Sequence, residues 1–290
     1  MKILIAVTLC EREYLERRVF LSRSILNVFS VLGEIALVCV YYQSADIRRR
    51  EEVISLVSSL NTGSLKINLK TYDWKSTSRA RNAAISDAYS MACDYIIFHD
   101  SSVILEKHYL SWLAESIQSR CLLATCWAFA DTSDRADANI LYSPKLDRDS
   151  CIHKFNPNDH PFVCAYAFPL DTYMPYFNPD YGPGDGSKYP CGEDYLFLDE
   201  YFTLNPSQLS FRKYRRIGVV HPRRPPNNLK RLEYAFGQGR IHRLNIFKYR
   251  SLGGFIALFL FIANAFLGCL LLKPHAFLIL KRRLQGLASQ

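Results

Sequence analysis

The chain has 290 residues, 49% hydrophobic and 22% charged, and its 36 Lys and Arg against 27 Asp and Glu give a net charge of +9. These values exclude a disordered chain and provide for one large α/β domain with a full core and a modest extension. The nine cysteines are odd in number and form no C-x-x-C pair, which argues for reduced, mostly buried thiols over a zinc knuckle or a disulfide framework.

Residues 2–8 read as a buried first strand rather than a signal peptide. The apolar run from Ile3 to Leu9 is short, lacks a small-residue cleavage site and meets E-R-E-Y-L-E-R-R at once. Residues 11–32 carry Leu15, Val19, Phe20, Ile25, Val28 and Phe29 at helical spacing. A β-rich run at 34–42, a helix at 46–60, a turn at Asn61-Thr62-Gly63 and a strand at 65–72 follow. Then come a helix at 76–93, a strand at 95–98, a helix at 106–118 and a strand at 122–129. Strands and helices alternating at this spacing predict an α/β fold, a mostly parallel sheet with helices on both faces.

Beyond Ala130 the texture changes. Residues 131–159 are polar and turn-rich, which suggests a loop or a small hairpin, and 162–168 read as a strand. The stretch N-P-D-Y-G-P-G-D-G-S-K-Y-P-C-G at 178–192 is dense in breakers, as a flexible lid or a surface connection would be. A helix at 192–204 opening on Glu193-Asp194, a strand at 212–220 ending at His221-Pro222 and a basic helix at 228–249 complete the main body. The basic excess gathers after Phe211, in R-K-Y-R-R, H-P-R-R and G-R-I-H-R, and predicts an anionic partner. Residues 251–272 contain no charged side chain, and Lys248, Arg250, Lys273, Lys281, Arg282 and Arg283 flank them. About 20 apolar residues suffice to cross a bilayer, so a C-terminal membrane-associated helix is expected. Asn264 and the basic flanks leave a span and an in-plane helix both open. Nucleic acid is not expected, because lipid head groups account for the basic region at least as well.

Four places carry candidate chemistry. Arg81-Asn82 lies near a helix start, where exposed N–H groups favour anions, although a solvated basic turn reads the same way. Asp100 ends a buried strand, where open α/β sheets bind ligands and where turns also favour Asp. Glu193-Asp194 follows the Gly/Pro-rich loop and suits either the helix dipole or a general base at a cleft mouth. His221 ends a strand before Pro222, as a structural imidazole or as a partner to Asp100 around a cation.

The order of these pieces resembles the family 2 glycosyltransferases of the GT-A fold, in particular the bacterial membrane-associated enzymes of capsular and O-antigen polysaccharide synthesis. The likeness rests on A-R-N at 80–82, F-H-D-S-S at 98–102, G-P-G-D-G-S-K-Y-P-C-G-E-D-Y-L-F-L at 182–198, V-V-H-P-R-R at 219–224 and Y-A-F-G-Q-G-R at 234–240. The resemblance implies a GT-A-like, Rossmann-like sheet divided into a nucleotide-sugar-binding half at 1–130, an acceptor-binding and catalytic half at 131–250 and a membrane-associated segment at 251–290. It implies that Arg81 and Asn82 contact the nucleotide and that Asp100 is the first acid of the D-x-D motif. It implies that Asp194 is the catalytic base with Glu193 beside it, and that His221 lies near the donor diphosphate or on a metal. Ser102 stands where the family has the second acid, and a hydroxyl is a poor ligand for a hard divalent ion. A Mn or Mg ion would then rest on Asp100, His221 and the diphosphate, or basic residues such as Arg223 and Arg240 would replace it. The implied reaction is inverting transfer from a nucleotide-sugar to a saccharide or lipid-linked acceptor at the cytoplasmic face of a bacterial inner membrane. The alternative is a catalytically degenerate scaffold subunit.

Overall fold

The computed structural model describes residues 1–44, 46–60, 67–130, 162–209, 211–222, 230–249 and 252–289. In chain order the first half contains β1 (Ile3–Cys10), α1 (Glu11–Leu32), β2 (Ala36–Gln43), α2 (Ile47–Leu60), β3 (Ile67–Tyr72), α3 (Thr77–Ser90), β4 (Tyr95–Asp100), β5 (Ile104–Leu105) and α4 (Lys107–Ser116). The second half contains β6 (Leu123–Ala130), β7 (Tyr166–Pro169), α5 (Glu193–Leu204), β8 (Arg212–Pro222), α6 (Lys230–Tyr249), α7 (Leu252–Leu270) and α8 (Ala276–Ala288).

Strand β1 is apolar along almost its whole length because both of its faces are covered. Its odd residues Ile3, Ile5 and Val7 join Leu21, Ile25 and Val28 of α1 in one core layer. Its even residues Leu4 and Ala6 join Ala80, Ala84, Ile85 and Ala88 of α3 in the other. The twofold period of a strand thus splits one apolar run between two layers.

The strands form an eight-stranded sheet in the order β3-β2-β1-β4-β7-β6-β8-β5. The expected parallel arrangement holds from β3 to β4. Beyond β4 the sheet is mixed: β7 runs antiparallel to both β4 and β6, while β6 and β8 are parallel. The expected strand at 162–168 is a single 3-10 turn, Val163–Ala165, followed by the short β7. The parallel half brings Tyr72, Gln43, Thr8 and Asp100 to one edge, at the C-terminal ends of their strands. The turn at 61–63, the segment 131–159 and Arg223-Arg224 lie outside the described residues.

Of the two readings of the breaker-rich stretch 178–192, a flexible lid or a surface connection, the bonds at its centre fit the second. Thr77 N–H donates to Pro183 O at 3.1 Å, Asp185 N–H to Lys75 O at 2.6 Å and Ser78 Oγ to Tyr181 O at 2.6 Å. Gly184 has φ +144°, and a Cβ there would stand 2.4 Å from Lys75 O. Only glycine combines that backbone with that approach.

Helices α6, α7 and α8 pack on one another. A Cβ on Gly239 would lie 2.2 Å from Arg283 O, and one on Gly286 would lie 2.0 Å from Phe236 O. Backbone therefore meets backbone where α6 and α8 cross. The helix α8 was not foreseen; it turns the apolar C-terminal segment into a hairpin. Among the described residues no helix is long and apolar enough to cross a membrane, so the spanning form of the C-terminal expectation has no support.

Candidate active site

Helix α3 begins at Thr77, with Ser76 as its N-cap accepting from Arg79 N–H at 3.3 Å. Arg81 therefore lies a full turn inside the helix, on its buried face, and its side chain is 2% exposed. It does not stand among exposed N–H groups at a helix start. Its guanidinium instead meets three carboxylates. Nη2 donates to Asp100 Oδ1 at 2.8 Å, Nη1 pairs closely with Asp194 Oδ1, and Glu193 Oε1 lies 3.8 Å away. The guanidinium carbon lies 5.1 Å from the centre of the Phe177 ring, a cation–π contact that fixes the plane of the fork.

Each acid reaches this point from a different element. Asp100 comes from the end of β4, where Thr8 Oγ1 of β1 also donates to its Oδ1 at 3.5 Å. Glu193 and Asp194 form the first turn of α5, which Gly192 opens in a left-handed conformation. The second oxygen of Asp194 accepts from Val163 N–H at 3.1 Å. Of the three acids Asp100 is the most exposed, at 29% against 11% and 15% for the others, so it faces the opening.

One guanidinium faces three carboxylates, and burial decides how they share the charge. Burial pushes the Glu193 carboxyl up to about 8, and the adjacent Asp194 charge adds to the rise against the pull of Arg81. Burial also raises Asp194, partly offset by Arg81. Asp100 goes the other way: burial opposes ionisation, but Arg81, His221 and His99 together hold it below the usual carboxylate range. For Arg81 the three acids outweigh burial and drive its pKa up. At neutral pH the cluster therefore keeps Glu193 neutral and Asp100 ionised.

The remaining expected residues are placed differently. Asn82 donates to Phe177 O at 2.8 Å and accepts from Phe177 N–H at 2.7 Å. Its amide pins the segment carrying the Phe177 ring. Ser102 lies in the turn after β4 and is partly exposed. His221 is buried, stacks on Phe162 with ring centres 6.1 Å apart, and favours the ionised form of Asp100. Arg240 donates to Ser289 O at 2.7 Å and stacks on Tyr189. The first of these contacts ties it to the end of α8. Phe177 and Val163 are the contributors that sequence reasoning missed, since neither a ring nor a backbone N–H advertises a site.

Among the described residues no group of three or more His, Cys, Asp or Glu side chains could hold a metal ion. The fit to Mn or Mg is thus incomplete from protein groups alone. A cavity of about 340 Å³ runs along α5 beside Tyr176, Glu200 and Lys248 and shares none of the four clustered residues.

No protein-family model matches the chain, and no curated protein sequence matches it. Solved structures do. The chain is similar to the S. aureus TarS fragment 1–349, with a TM-score of 0.55 at 11% identity over 99% of this chain and 71% of that one. The same fragment in complex with UDP gives 0.53 at 12% identity over 86% of this chain and 66% of that one. The fragment in complex with UDP-GlcNAc gives 0.50 at 12% identity, over 86% and 67%. The chain thus spans about two thirds of those fragments, and likeness at this identity establishes the fold: a GT-A-like mixed sheet flanked by helices.

Proposed function

We propose that the protein is an inverting glycosyltransferase that moves a sugar from a nucleotide-sugar donor to a hydroxyl of a saccharide acceptor. The observation that carries this reading is the convergence of Arg81, Asp100, Glu193 and Asp194 at the strand-end edge of the sheet. In open α/β sheets that edge is where ligands bind. The TarS structures bound to UDP and UDP-GlcNAc make uridine diphosphate sugars the first donors to test. In this scheme Asp194 takes the proton from the acceptor hydroxyl as its oxygen attacks the anomeric carbon and the bond to the diphosphate breaks. Burial raises its pKa, which makes it a stronger base than an ordinary carboxylate. Glu193 borders the acceptor, and Asp100 faces the ribose or the diphosphate. A divalent ion held by Asp100, His221 and the donor's own oxygens would neutralise the leaving group when bound.

The finer part of the proposal is a lipid-linked acceptor, used in capsular or O-antigen polysaccharide synthesis at the cytoplasmic face of a bacterial inner membrane. The exposed apolar residues of the C-terminal hairpin support that location.

Both oxygens of Asp194 are engaged, one by Arg81 and one by Val163. That observation, with Ser102 in place of an acid, keeps a second reading: a degenerate transferase acting as a scaffold subunit. Purified protein with a panel of nucleotide-sugars separates the two. Transfer or donor hydrolysis, lost about 100-fold or more in Asp194→Asn with nucleotide binding intact, establishes the enzyme. Absence of both turnover and nucleotide binding favours the scaffold.

A further inference from the structure

The α7–α8 hairpin displays an apolar surface too continuous to be incidental. Phe255, Phe259, Phe266 and Leu270 along α7 are each more than half exposed, and at the turn Leu272 is 90% and Phe277 71% exposed. Isolated exposed apolar side chains are ordinary, whereas a contiguous patch marks an interaction site.

The charges around it select the partner. No acidic residue follows Glu233 in the sequence. Lys273, Lys281 and Arg282 are exposed beside the patch. A second copy of the chain would bring the same positive field to the contact and be repelled, while an anionic lipid surface matches it. The spacing suits a bilayer interface as well. Leu278 and Arg282 are one helical turn apart, about 6 Å along the axis. That places Lys281 and Arg282 at head-group level when Leu278 reaches the acyl boundary. Among the described residues no helix is long and apolar enough to cross.

We propose that the α7–α8 hairpin is a monotopic wedge that docks tip-first into the interface of an anionic lipid bilayer. The proposal rests on the membrane location proposed above and is independent of the transfer chemistry. Docking would also orient the site. Arg240 and Arg243 of α6 donate to Ser289 O at 2.7 Å and Leu287 O at 2.9 Å, tying α6 to the end of α8. A Cβ on Gly237 of the same helix would lie 2.7 Å from Cys191 Sγ, so α6 also abuts the stretch that leads into Glu193 and Asp194. The hairpin is thus joined through α6 to the stretch that carries Glu193 and Asp194.

The test is flotation of the full chain with phosphatidylglycerol–phosphatidylcholine vesicles and with pure phosphatidylcholine vesicles, without donor or acceptor. Wild type is expected to float with the anionic vesicles and less with the neutral ones, and added salt is expected to weaken it. The double variant Leu272→Glu/Phe277→Glu is expected to lose binding at least about tenfold, because charge replaces the inserted apolar groups. Its circular dichroism and melting should be unchanged, since both positions face solvent. Lys281→Ser/Arg282→Ser is expected to lose the preference for anionic vesicles while keeping weak binding. Wild type staying in the aqueous fraction with every vesicle would overturn the proposal. So would a stable dimer by light scattering that Leu272→Glu dissociates, because the patch would then belong to a second copy.

Discussion

Replacing Glu193 by Gln should change how stability depends on pH. The Glu193 carboxyl lies at about 8 in the folded protein against an ordinary 4.5. The fold therefore binds this proton more tightly than the unfolded chain does. The stabilisation is fully present below pH 4.5 and is lost as pH rises through 8. Within that window wild type should lose ~1.4 kcal/mol per pH unit from this group. Across the window the loss is on the order of 5 kcal/mol, a large fraction of a typical domain's stability. Glu193→Gln preserves the neutral shape and cannot ionise, so its profile should be flatter by that slope. Urea unfolding at pH 5, 6, 7 and 8 measures both proteins directly. Parallel profiles would refute the argument. Asp194→Asn supplies the internal control: it removes the neighbouring charge that helps raise Glu193, so it should flatten the profile partially. Flattening in Asp194→Asn alone would put the shared proton on Asp194 instead.

Arg81→Met should destabilise the protein by about 3–5 kcal/mol at neutral pH, because it leaves buried carboxylates without their cation; urea unfolding reads this, and a smaller loss at pH 5 is expected as the acids protonate. His99 is buried against Ser24 Oγ at 2.6 Å, and burial pushes its pKa down to about 4. Its contribution is complete above its ordinary 6.5 and is lost as pH falls through 4, so His99→Gln should flatten the acid limb of the stability profile. Binding of a nucleoside diphosphate should be accompanied by net proton uptake near pH 8. An incoming diphosphate competes for Arg81, and carboxylates relieved of that cation become more basic. Calorimetry in buffers of different ionisation enthalpy gives the sign, and proton release would contradict the competition.

Much of the first half of the fold is legible in the sequence because its signals are local. The apolar run of β1 and the helical spacing of α1 each predict their element within a residue or two. The antiparallel β7 is not legible: Tyr166–Pro169 carries no local mark of direction, and its pairing with β4 and β6 is a long-range choice. Helix α8 was missed for a related reason. Its sequence reads as a basic tail, and what seats it is the contact of Gly286 with Phe236 O, fifty positions earlier in the chain. The acids and Arg81 are visible as residue types at element ends, yet their partnership is not. Arg81 meets Asp194 across 113 positions, and sequence spacing says nothing about it. Asn82 shows the converse: a motif neighbour of Arg81 whose amide is bound to Phe177.

The cluster's charge balance links these observations. A guanidinium that meets three carboxylates is a structural keystone and at the same time the nearest cation to any phosphate entering between them. While Arg81 holds Asp194, one carboxylate oxygen is occupied and the other accepts from Val163. A base so engaged abstracts protons poorly. If the chain is the transferase proposed above, donor binding would change the balance, because a diphosphate would offer Arg81 a second anion and relieve Asp194 of its positive neighbour. On that proposal the pairing would keep the site quiet without a donor and make the base available with one. Water is the competing acceptor in sugar transfer, and such an arrangement would withhold the base until a donor is in place.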